Sequence, residues 1–102
     1  MSIREVVESR LTQGADESIP YALTTTNWGS SPTNVAVVAK NVTAGNTDVT
    51  ATVLSGAASV SGDVITLPTL ISLTAGNLYR IEVKFTISST IFEAFLLVQA
   101  EV

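Results

Sequence analysis

With neither His nor Cys in the chain, any chemistry would have to come from nine carboxylates, five basic side chains and the hydroxyls. Zinc and copper sites of the usual kind need imidazole or thiolate, and acid–base work near neutral pH leans on His, so both are set aside. Asp16 and Glu17 are adjacent and could meet a hard cation with loop carbonyls. No spaced series of oxygen ligands surrounds them, however, and a solvated loop is the stronger reading. Asp48 and Asp63 each stand where a turn enters a strand, a position at which Asp bonds local backbone. Glu82 and Glu93 fall on neighbouring strands of an outer face rather than across a cleft, so they read as a surface charge ladder and not as a glycosidase pair. Serine or threonine nucleophiles lack a base, and the glycines stand singly in turns rather than in a phosphate-binding loop. The chain reads as a non-enzyme that needs no cofactor and no metal.

Two further candidates concern binding. Trp28, the sole tryptophan, sits in the loop Thr26-Asn27-Trp28-Gly29-Ser30-Ser31-Pro32. It either lids one end of the core or stacks on a ligand such as a glycan. Phe95 and Leu97 on the last strand are placed outward by the alternation described below. Either the N-terminal segment (Val6, Val7, Leu11) covers them, or they mark an interface with a partner or a second copy.

These residues must be positioned by strands. Leu73-Thr74-Ala75-Gly76-Asn77-Leu78-Tyr79 reads as a tyrosine corner, in which a Tyr opening a long strand bonds back to upstream backbone where a Greek-key sandwich turns over. Tyr79 to Ile87 then alternates with a period of two. A two-residue loop at Ser88-Ser89 sets Phe85 opposite Phe92, Val83 opposite Ala94, Ile81 opposite Leu96 and Tyr79 opposite Val98 on the inner side. On the outer side it sets Lys84 against Glu93 as a cross-strand charge pair. The loop lacks the Asn-Gly or Gly-X usual in such turns.

Upstream, Ile19 to Leu23 reads as an edge strand because Pro20 has no donor for a central ladder. Asn34 to Val42 carries a near-continuous apolar run that predicts burial on both faces. Asp48 to Leu54 alternates as a strand, and Ala57 to Val60 with Asp63 to Leu67 predicts a hairpin turning at Ser61-Gly62, closed by Pro68. Residues 3–11 fit either a short helix or a bulged strand. The sum is about seven strands in one domain over residues 1–102, an all-β immunoglobulin-like Greek-key sandwich of the fibronectin type III kind.

Net charge is −4, and Arg4, Arg10, Lys40, Arg80 and Lys84 do not cluster, which argues against nucleic acid as a partner. No apolar run approaches the ~20 residues of a membrane helix. The charged first ten residues lack a signal-peptide core, which predicts work or assembly outside the general secretion route.

Gln13 to Ser18, Trp28 to Pro32, Asp48 to Gly56, Val60 to Pro68 and Leu73 to Phe85 together resemble small immunoglobulin-like proteins encoded in structural-gene modules of tailed phages and prophages, the phage fibre–tail adaptor-like family. The resemblance implies a virion structural or adaptor component of the tail, fibre or head–tail region. It would be assembled in the host bacterial cytoplasm and bind other virion proteins, as a homo-oligomer or otherwise. It supplies no catalytic residues. The contrasting reading is a ligand- or glycan-binding sandwich that uses the Trp28 loop.

Overall fold

Two long antiparallel strands, β10 (Leu78–Ile87) and β11 (Thr90–Glu101), form the centre of the molecule. The structure, a computed structural model, describes residues 11–25, 29 and 31–101 together with the backbone of residues 3–5. The register of the pair is the expected one, with Phe85 opposite Phe92, Val83 opposite Ala94, Ile81 opposite Leu96 and Tyr79 opposite Val98. Ser88 and Ser89 make this possible without glycine by taking left-handed conformations (φ 47° and 71°), the twist that a two-residue hairpin loop requires. Alternate residues Tyr79, Ile81, Val83, Phe85 and Ile87 are buried, as are Ala94, Leu96, Val98 and Ala100. The rings of Phe85 and Phe92 stack with centroids 5.7 Å apart.

Strand β4 (Thr33–Asn41) pairs antiparallel with β10, and a short β5 (Thr47–Asp48) pairs with the end of β4. The apolar run on β4 is not buried on both faces. Ala39 is fully buried, whereas Ala36 on the opposite face is exposed and Val38 only half-buried. On the other side of the hairpin, β1 (Ile3–Glu5) and β2 (Leu11–Gly14) both run parallel to β11. The described ends of the N-terminal segment are therefore strands, not a helix.

The alternation over residues 48–54 does not produce a strand. After β5 the chain makes one helical turn, α1 (Thr50–Val53), before the two-residue strand β6 (Leu54–Ser55). Asp48 Oδ1 accepts from the Thr50 backbone amide at 3.0 Å and from the Thr50 hydroxyl at 2.7 Å. Thr50 Oγ1 in turn accepts from the Ala39 amide at 3.0 Å, filling the place where a further ladder residue would bond β4. Val49 and Val53 are spaced for one face of a helical turn as well as for one face of a strand. Both pack toward the core, so the helix satisfies the same pattern.

The second layer consists of β3 (Ala22–Thr24), β7 (Ser59–Ser61), β8 (Val64–Thr66) and β9 (Thr69–Leu70), with β6. β8 pairs with β3 and β7, and β9 pairs with β6 while Leu70 bridges Ile19. Residues 54–61 thus run beside residues 64–70, the register slipping by one residue between the two pieces. The hairpin turns at Gly62-Asp63, one residue later than the sequence pattern places it, with Gly62 in the left-handed region (φ 59°). β3 pairs only with β8 among the described strands, so it is the expected edge, but it begins at Ala22 and leaves Pro20 outside it, with Ile19 making only the isolated bridge to Leu70. Leu23, Ile65, Leu67 and Leu70 from this layer share one core with the buried residues of β4, β10 and β11. The architecture is all-β and sandwich-like.

Two polar contacts tie the layers together. The Thr74 amide donates to the Tyr79 hydroxyl at 2.8 Å, the bond expected of the corner, while Leu73 is buried and Gly76 takes φ 87°. Gln13 on β2 is 1% exposed, and its amide nitrogen donates to the carbonyls of Leu70 (2.8 Å) and Glu17 (2.9 Å). Its carbonyl oxygen accepts from the Tyr21 hydroxyl at 3.0 Å. A buried amide satisfied at both ends fixes β2 to the opposite layer.

Replacing Tyr79 by Phe strands the Thr74 amide, so chemical denaturation should show a loss of about 1–2 kcal/mol with the fold retained. An unchanged midpoint would remove the corner from the account. Tyr21 ionises above its ordinary value of 10.0, chiefly because burial disfavours the phenolate and secondarily because Glu17 is nearby. The folded state therefore keeps a proton that the unfolded chain loses, and this contribution is present below pH 10 and lost as pH rises through the folded value. Tyr21→Phe should accordingly lose less stability than wild type as pH rises from 10.0 through the folded value, measured by denaturant midpoints. Parallel losses would contradict it.

Candidate functional site: the outer face of the large sheet

The same two-residue period that buries Tyr79 and Phe85 turns Arg80, Glu82 and Lys84 of β10 to the opposite face. Beside them on β11 stand Ile91, Glu93, Phe95 and Leu97. Ala36, Val38 and Lys40 of β4 complete the face on the far side of β10. Phe95 lies opposite Glu82 and Leu97 opposite Arg80, as the sequence register requires.

The charges are used locally. The Arg80 guanidinium carbon sits 4.1 Å from the centre of the Phe95 ring, a cation–π arrangement. Arg80 Nε is 3.0 Å from Glu82 Oε2, a charge contact without hydrogen-bond alignment, and Lys40 Nζ is 3.8 Å from Glu82 Oε1. Glu82 is therefore held by two cations. The expected Lys84–Glu93 pair has the right register but does not close to ion-pair distance, and it is Lys40 and Arg80, not Lys84, that neutralise Glu82. Lys84 stands exposed.

The apolar members remain accessible. Ile91 is 45% exposed, and Phe95 and Leu97 are half-buried. Leu11 does not cover them: it pairs with Val98 and packs on the core side of the sheet. Val6 and Val7 lie outside the described residues. A shallow, open depression of about 150 Å³ lies between β4 and the hairpin, lined by Ala36, Val38, Glu82, Val83, Lys84 and Glu93. Its floor is apolar and its rim charged, an arrangement suited to receiving a side chain rather than to closing over a substrate.

The other candidates resolve separately. Trp28 lies outside the described residues. Asp16 and Glu17 occupy an exposed turn in which Glu17 Oε1 accepts from the Gly14 amide at 2.6 Å. The Asp48 carboxyl is held below its ordinary range by the backbone bond from Thr50, then by the Thr50 hydroxyl. The Asp63 carbonyl accepts from the Thr25 amide and hydroxyl. Among the described residues no cluster of three or more acidic groups could hold a metal ion, and no helix is long and apolar enough to cross a membrane. No family model, curated protein or solved structure matches this chain.

Sequence reasoning missed Ile91, Ala36 and Val38 as members of the face. The register it predicted already puts Ile91 two residues before Glu93 on the same side.

Because the fold does not rely on this face, Phe95→Ala with Leu97→Ala should cost well under the about 3–5 kcal/mol expected for Phe85→Ala in the core. Comparable losses in urea denaturation would mean that the face is structural.

Proposed function

We propose that the chain is an immunoglobulin-like Greek-key sandwich of the fibronectin type III kind. On this reading it works as a non-enzymatic phage or prophage virion component, a structural or adaptor protein of the tail, fibre or head–tail region. It acts through contacts with other virion proteins and is assembled in the host cytoplasm. The observation that carries the proposal is the outer face of the large sheet. There an accessible apolar set (Ile91, Phe95, Leu97, Ala36) is flanked by cations already matched to Glu82. Apolar side chains framed by fixed charge form a contact surface and not a reaction centre. The Tyr79–Thr74 bond at the entry to β10 and the parallel N-terminal strands on β11 support the fold reading. The resemblance in sequence supports the virion reading.

Particles prepared from the prophage that carries this gene should contain the protein. Substitution of Phe95→Glu together with Leu97→Lys should deplete it at least about tenfold from particles while leaving its melting transition intact. Absence of the protein from wild-type particles, or undiminished incorporation of the variant, would overturn the proposal.

A further inference from the structure

We infer that the outer face of the large sheet binds a second copy of this chain, around a two-fold axis that lies above that face, parallel to β10 and β11 and midway between them. The inference rests on the reading of that face as a contact surface and names its partner.

Two charges on this face have no partner within ion-pair distance among the described residues. Lys40 and Arg80 are both engaged with Glu82, and Arg80 also covers Phe95. Lys84 and Glu93 remain, directly opposite each other on adjacent strands yet not joined in an ion pair. A partner whose surface carries a glutamate facing Lys84 and a lysine facing Glu93 would satisfy both at once. This chain has that surface. Because the two residues share one register position, an axis between their strands sets Lys84 of each copy over Glu93 of the other. No shift of either strand is needed.

The same operation brings Ile91 over Thr86, Leu97 over the aliphatic stem of Arg80, and Phe95 over Glu82, whose charge is already matched by Lys40 and Arg80, since those residues are also opposed in register. Two sheets packed with nearly aligned strands is an ordinary arrangement, and it would bury the side chains of this face in one layer about 10 Å thick. Net charge of −4 on each copy opposes association, so the contact depends on the local match of Lys84 with Glu93.

Reciprocity gives a test. Lys84→Glu alone places Glu over Glu twice in the pair, and Glu93→Lys alone places Lys over Lys twice. Either variant should weaken self-association at least about tenfold in analytical ultracentrifugation. Mixed in equal amounts, the two variants match at both positions, and a heterodimer should form with wild-type strength. Restoration on mixing also shows that both variants are folded. A monomeric wild type at all concentrations would overturn the inference, as would single variants that dimerise normally or a mixture that stays monomeric. If the wild type is monomeric but Phe95→Glu with Leu97→Lys still depletes the protein from particles, the face binds a different virion protein. The contact reading then survives without the dimer.

Discussion

The pairing register of β10 with β11 is the constraint from which the rest of the molecule follows. Side chains on a strand alternate between faces, so one slip would exchange the greasy interior for the solvent side. Ser88 and Ser89, both held at positive φ, set the loop length that fixes this register. Once it is fixed, Tyr79 points inward at the height where the Thr74 amide can reach its hydroxyl. Arg80 points outward, where its guanidinium meets Phe95 and Glu82. Core, corner and outer face are three consequences of one alignment.

Polar groups then decide how the thinner layer is attached. Strands β6, β7, β8 and β9 are only two or three residues long and contribute few ladder bonds of their own. Gln13 compensates by reaching from β2 to the Leu70 carbonyl, while Tyr21 closes the remaining valence of its amide. A buried amide is costly when half-satisfied and specifying when complete. Thr50 plays the corresponding part at the other edge, where its hydroxyl ends the β4 ladder and lets the chain cross to the second layer.

Much of this was legible in the residues, and the exceptions have physical reasons. The long hairpin and the Tyr79–Thr74 bond were readable because period-two alternation over ten residues admits one solution, and the Tyr stands at its start. The turn at α1 was not, because Val49 and Val53 satisfy a strand and a helical turn equally and the deciding bonds come from Asp48, Thr50 and Ala39. The burial of Gln13 depends on a carbonyl 57 residues away, and nothing local announces it. Opposition of Lys84 and Glu93 was foreseen, but adjacency on a strand pair is not contact. The apolar run of β4 promised burial on both sides and obtained it on one, since its outer half belongs to the same open face as Phe95.

The absence of native cysteine allows the alignment to be probed directly. Single cysteines placed in turn at positions 94 to 98 of the Lys84→Glu variant, whose outer face is free of a second copy, can be challenged with a maleimide under native conditions and their labelling rates compared. The register found here predicts fast labelling at positions 95 and 97 and protection at 94, 96 and 98. Uniform rates, or protection at 95 and 97 with exposure at 96, would contradict the alignment and with it the assignment of an outer face.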